Sequence, residues 1–258
     1  MWSDPVAFAV AVVAVILLGL AKGGFAGVGV IAVPLMALVM PPVTAASILL
    51  PILIVQDVVS VWSFRKTWDR ALLMHLIPGA ALGVITGYAL AAYVPRAAVA
   101  LAVGLISIVF GVLRLRVEFG AKRPAPTALP VPTPLLGVAA GAASGFTSQI
   151  SHAGGPPFQM YVLPKGLPRD VFIGTSSIFF AAVNWMKVPA YFALGQLTPK
   201  SLSAGAALLP VALLSTWGGV WLVRRVPGEA FYRIIYGLLI IVGLKLSADG
   251  LGGLIARA

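Results

Sequence analysis

Ten runs of apolar residues succeed one another along the chain, at 5–21, 26–40, 44–64, 71–92 and 97–114, then at 134–150, 155–164, 171–194, 201–223 and 229–247. Most approach the roughly 20 residues that a helix needs to cross about 30 Å of hydrocarbon. Because hydrocarbon offers no partner for a free N–H or C=O, such runs are predicted to be helices of an all-α integral membrane protein. Composition agrees. Of the 258 residues 60% are hydrophobic and 10% charged, against about 45–50% and about 25% in soluble domains, which leaves too little polar surface for a water-exposed globule. The net charge of +11 would point to nucleic acid in a soluble protein. Here the basic residues occupy short loops between apolar runs, so they read as a topology signal, with membrane lipid and not nucleic acid as the partner. The absence of cysteine excludes disulfides and cysteine-ligated metal. Met1 to Asp4 carry no basic residue before the first run and no small-residue cleavage site follows it, so that run is read as a retained span.

Loop charge sets the expected topology. If every run crosses, one side holds Arg65, Lys66, Arg70, Arg114, Arg116, Lys122, Arg123, Lys165, Arg169, Arg224 and Arg225, and the other only Arg96, Lys200 and Arg257. The crowded side is then cytoplasmic. The second run of each half (26–40 and 155–164) is short, and it either crosses tilted or broken, or dips in and returns. The halves also repeat. An offset of 132 places Pro78 on Pro210, Gly87 on Gly219, Val94-Pro95 on Val226-Pro227 and Gly111 on Gly243, and an offset of 123 places Pro34 on Pro157 and Pro41 on Pro164. Five crossings per unit is an odd number, so the units are expected to face opposite ways as an inverted repeat. The expected organisation is a first membrane repeat over 1–120, a Pro-rich cytoplasmic linker over 121–133 and a second membrane repeat over 134–258.

Two stretches resist continuous helix. Gly19 to Pro34 holds glycines at 19, 23, 24, 27 and 29 and closes on proline, and Gly141 to Pro157 is a second small-residue run closing on proline. Glycine lowers the cost of leaving helical geometry and proline removes a donor, so both segments are expected to break. Paired interruptions in two halves point to the binding site of a secondary transporter. The first half-site is expected at Lys22, Gly23, Gly24 and Gly27, with Lys22 either aiding an anion at a half-helix end or serving as an ordinary loop charge. The second is expected at Ser148, Gln149, Ser151, His152, Gly154 and Gly155, among which His152 titrates near neutral pH or is a structural histidine. Thr147 belongs to the same run, and His75 has a weaker claim.

Ionisable residues deep in hydrocarbon face a cavity or a partner. Asp57 lies eight residues before Arg65 and Lys187 eight before Gly195, each about 12 Å below a boundary. Aligning Ser47 with Ser177 places Asp57 on Lys187, so the two are expected to face one another across the centre: either Lys187 attracts an anion and Asp57 serves as its resting partner or as the coupling proton site, or they form a structural buried pair, or Lys187 snorkels outward past Pro189. Gln56 and Asn184 border them, as oxyanion donors or as interhelical glue.

The Gly-rich opening that ends on Pro34, its weaker copy ending on Pro157, the helix starts Ala45-Ala46-Ser47 and Thr175-Ser176-Ser177, and the duplicated layout resemble the sulfite exporter TauE/SafE family across essentially the whole chain. The resemblance implies a multi-pass permease of the bacterial cytoplasmic (inner) membrane, moving small anions such as sulfite or organosulfonates, with no cofactor. Alternating access is the expected mode and a passive anion channel the alternative. An intramembrane enzyme lacks support, since HExxH, GxSxG and Walker-type motifs are absent. Trp2, Trp62, Trp68 and Trp221 fit interfacial anchors, and lipid-facing Gly/Ala surfaces permit a homodimer.

Overall fold

The computed structural model describes residues 4–25, 27–91, 93–119, 134–223, 225 and 229–256. The expected linker at 121–133 lies outside them. Among the described residues every ordered element is helical: α1 Pro5–Lys22, α2 Ala32–Ala37, α3 Pro42–Phe64, α4 Arg70–Ala91, α5 Arg96–Phe119, α6 Pro134–Ser151, α7 Gly155–Val162, α8 Arg169–Ala193, α9 Pro199–Val223 and α10 Glu229–Ile255. Six of these are individually long and apolar enough to cross a membrane: α1, α3, α4, α5, α8 and α9. The short pair is α2 with a preceding 3₁₀ turn, Val28–Ile31, and α7 with a following one, Leu163–Lys165. Each reaches only roughly 17–18 Å at ordinary helical rise.

Local chemistry sets the ends. Asp4 caps α1, its carboxylate accepting from the N–H groups of Val6 at 2.9 Å and Ala7 at 3.3 Å, with Pro5 at the first helical position where its missing N–H is harmless. Asp69 accepts similarly from Leu72 N–H at the start of α4. At the other end of α1 the chain leaves helical geometry through Gly24 (φ +130°) and Gly27 (φ +96°). Side chains strain there, and glycine does not.

Inside a bilayer, apolar surface gains little by touching apolar surface instead of lipid, so helices associate where small residues let backbones approach. A methyl on Gly83 of α4 would collide with the Ala142 carbonyl of α6, and one on Gly23 of α1 with the Gly219 backbone of α9. These contacts also give directions. Gly19 meets Ser215 and Gly23 meets Gly219, so α1 and α9 run parallel; Gly79 meets Val138 and Gly87 meets Gln149, so α4 and α6 do too. Asp57 meets Asn184 and Ser60 meets Ser177, so α3 and α8 run antiparallel, as do α5 and α10, where Gly104 meets Ser247 and Gly111 meets Ile240.

Among the described residues the largest core gathers α1, α2, α3 and α9 around Val15, Met36, Leu49 and Leu208, and the next gathers α4, α7 and α8 around Leu76, Phe158 and Phe179. The ends of α3, α5 and α9 and the starts of α4, α8 and α10 share one face. On that face Arg169 donates to the Val223 carbonyl, Arg65 lies 3.9 Å over the Trp62 ring and Arg225 lies 4.3 Å over the Trp221 ring. Arg65, Lys66, Arg70, Arg114, Arg116, Lys165, Arg169 and Arg225 therefore belong to the same side, while Lys122, Arg123 and Arg224 lie outside the described residues.

Candidate functional site

Helix α1 stops inside the bundle. Its last residue, Lys22, ion-pairs with Asp57, seven residues before α3 ends at Phe64, so the break lies about 10 Å short of that end. The second carboxylate oxygen of Asp57 accepts from Asn184 Nδ2 at 2.6 Å, and the carboxylate is buried. Ser60 donates to the Lys22 carbonyl at 2.7 Å and shares a 2.6 Å hydrogen bond with Ser177, which fixes the end of α1 against α3 and α8. A lysine in the last turn also complements the exposed carbonyls there. Its ammonium lies 5.6 Å from the Phe180 ring.

The second half has the same plan with different chemistry. Helix α6 ends at Ser151, and His152 turns the chain with φ +53°, a left-handed conformation that costs an ordinary side chain about 1–2 kcal/mol. Its Nε2–H donates to the Ala46 carbonyl at 2.8 Å, which leaves Nδ1 to accept from Lys187 Nζ at 2.6 Å. Ser148 supplies the remaining acceptors of Lys187, its Oγ at 3.1 Å and its carbonyl at 3.4 Å. Three acceptors match the three donors of an ammonium. The expected contact between Asp57 and Lys187 is thus absent: Asp57 is held by Lys22 and Asn184, and Lys187 by neutral groups. The reason is depth. Because α1 ends mid-bundle, its terminal cation reaches Asp57 first, and antiparallel α3 sets Asp57 against Asn184, one turn from Lys187.

Between the broken segments lies a cavity of about 90 Å³, several times the space a single water needs. Of the residues expected at the site it is lined by Lys22, Gly24, Gly27, Ser148, His152, Gly155 and Asn184. Asp57 and Lys187 stand directly behind this lining. Gly23 packs on α9, the Gly154 carbonyl accepts from Ser144 Oγ, Ser151 bonds to the Thr147 carbonyl, and Gln56 donates to the Ala212 carbonyl of α9. Gly23, Gly154 and Gln56 tie separate segments to one another, while the Ser151 bond lies within α6. Thr147 and His75 bond within their own helices, away from the cavity. Gln149 lines a second cavity of about 120 Å³, with Ala46, Tyr191 and Gln196. The His152 ring, stacked on Tyr191 with centroids 6.0 Å apart, separates the two. Ser60, Ser177, Phe180 and Gln159 line the first cavity without having been expected there. Ser177 sits in a polar helix start that sequence pattern alone does not orient, Ser60 lies near the end of α3, and Gln159 is a lone polar residue in a short apolar run. Among the described residues no group of three His, Cys, Asp or Glu is placed to hold a metal.

A family model described as "Sulfite exporter TauE/SafE" matches residues 10–246. No curated protein and no solved structure matches the chain.

Proposed function

This chain belongs to the sulfite exporter TauE/SafE family, and from that premise we propose that it is a secondary transporter of small sulfur oxyanions, sulfite foremost, working by alternating access in a bacterial cytoplasmic membrane. The family is one of membrane transporters of sulfite and related sulfur anions. The observation that carries the finer reading is the Lys22 ammonium at the wall of a small cavity of mixed polar and apolar lining inside an apolar bundle. Two lysines, Lys22 at the cavity wall and Lys187 behind it, stand against one carboxylate, Asp57, so basic side chains are in excess. An entering monoanion is drawn to that excess, and an interior of low dielectric makes the gain larger than it would be in water. Asp57 is the anion that occupies Lys22 at rest. Substrate displaces it, and protonation of the released carboxylate couples proton to anion.

Inverted repeats are supported by the packing. Exchanging the halves turns the α1–α9 contact into α6–α4 and leaves α3–α8 and α5–α10 as themselves. Equivalent helices that meet, α3 with α8 and α5 with α10, run antiparallel, as opposite insertion demands. Ten crossings follow if α2 and α7 return the chain, since α1 and α3 both run parallel to α9. Two cavities stacked along α8, with His152 and Tyr191 between them, favour a carrier over an open channel. The first cavity reaches toward Phe172 and Ile173, near the basic face, which is the cytoplasmic one by loop charge.

The test is sulfite flux into proteoliposomes of purified protein, alongside thermal stabilisation by sulfite, thiosulfate, sulfonates and carboxylates. Saturable, sulfite-selective flux that Lys22→Met abolishes is expected. Flux far above carrier rates would establish a channel instead, and no stabilisation by any sulfur anion would remove the substrate assignment.

A further inference from the structure

The polar side chains around the first cavity are mostly engaged with the protein itself. Ser60 and Ser177 bond to each other, Asn184 donates to Asp57, Ser148 binds Lys187, and His152 uses both ring nitrogens on Ala46 and Lys187. Gln159 differs. It projects from α7, is 4% exposed, lines the cavity, and its carboxamide oxygen has no hydrogen-bond partner. Two glycines border that amide. A Cβ on Gly27 would come within 3.4 Å of its Nε2, and one on Gly155 within 3.7 Å. Gly27 itself stands at φ +96°, where a side chain is disfavoured in any case. A buried, unpartnered carboxamide oxygen is destabilising for the empty protein, so a bound ligand is the natural source of its missing bond.

We infer that Gln159 is a direct substrate ligand and the residue that selects hydroxyl-bearing oxyanions, such as hydrogensulfite, over simple halides. This rests on the transport reading: Lys22 supplies the charge, and Gln159 reads the shape. A carboxamide carries two donors and an acceptor. It therefore satisfies both a bare oxygen and a hydroxyl of an oxyanion, including a monoprotonated one such as hydrogensulfite. A halide offers nothing to the acceptor and leaves it buried and unpaired. Discrimination through a polar group that the wrong ligand leaves unsatisfied is larger than apolar fit provides.

The test compares wild type with Gln159→Leu and Gln159→Asn, purified in detergent, for sulfite affinity, competition by chloride, and melting temperature without ligand. Gln159→Leu is expected to weaken sulfite binding at least tenfold and to lower sulfite-over-chloride selectivity by a similar factor. Its ligand-free melting temperature is expected to stay unchanged or rise, because the unpartnered acceptor is gone. Gln159→Asn keeps an amide and retains part of the selectivity. Sulfite binding within twofold of wild type in Gln159→Leu would overturn the inference while leaving the transport reading intact. So would a fall in ligand-free stability that matches the loss of binding, since that marks a structural role. A wild-type protein that binds no sulfur oxyanion at all would overturn both.

Discussion

The two half-sites share a backbone plan and differ in charge. In each, the residue that ends a mid-bundle helix reaches a charged residue 35 positions later, Lys22 to Asp57 in the first half and His152 to Lys187 in the second. The first pair is an ammonium with a carboxylate and sums to zero. The second is an imidazole with a lysine amine, which no described carboxylate contacts. The same spacing between a helix end and its partner thus serves two different electrostatic arrangements. One half pairs a lysine with a carboxylate, and the other sets a lysine among neutral acceptors.

Substitutions can separate these two arrangements, and the largest effect is expected at the neutral pair. Asp57→Ala strands the Lys22 charge in the bundle and should destabilise the protein by about 3–5 kcal/mol. The double change of Asp57→Ala with Lys22→Met should recover most of that, read by thermal unfolding in detergent; additive losses would mean that the pair is not coupled. At the other half-site, Lys187→Met removes the excess basic side chain and should weaken sulfite binding roughly tenfold, about 1.4 kcal/mol, and abolish flux while the protein stays folded in the membrane. Unchanged flux would reduce the second half-site to scaffolding. At His152 the question is backbone as well as side chain: His152→Gly relieves the left-handed φ that His152→Ala retains, so the glycine variant should be the more stable by about 1 kcal/mol. Equal melting temperatures would argue that the strain is absent. Ser60→Ala and Ser177→Ala should each cost about 1 kcal/mol and be strongly non-additive, because they break one shared hydrogen bond. Gln56→Leu, which removes only an interhelical contact, should cost about 0.6 kcal/mol.

Much of the scaffold could be read without coordinates. The expected run 44–64 became α3 at Pro42–Phe64, 71–92 became α4 at Arg70–Ala91, and 201–223 became α9 at Pro199–Val223. Runs 26–40 and 155–164 announced themselves as interrupted through Gly27, Gly29, Gly155 and the prolines. Partner choice could not be read. Asp57 and Lys187 are equivalent by sequence offset, yet equivalence across an inverted repeat does not imply contact, and nothing local in the sequence says at what depth α1 ends beside α3. Gln159 was missed for a related reason, since a single amide in an apolar run has no periodicity that says which way it points.

What the sequence by itself determined is the set of apolar helices, the places where two of them break, and the loops that carry the positive charge. These follow from run length, backbone satisfaction and the local chemistry of glycine and proline, all of which act within a few residues. Only the tertiary structure decided that Lys22 takes Asp57, that His152 takes Lys187, and that an unpartnered Gln159 faces the space between them. Those outcomes depend on how deeply each helix end sits and which backbone it can approach, and close Gly-to-backbone contacts between distant helices set both.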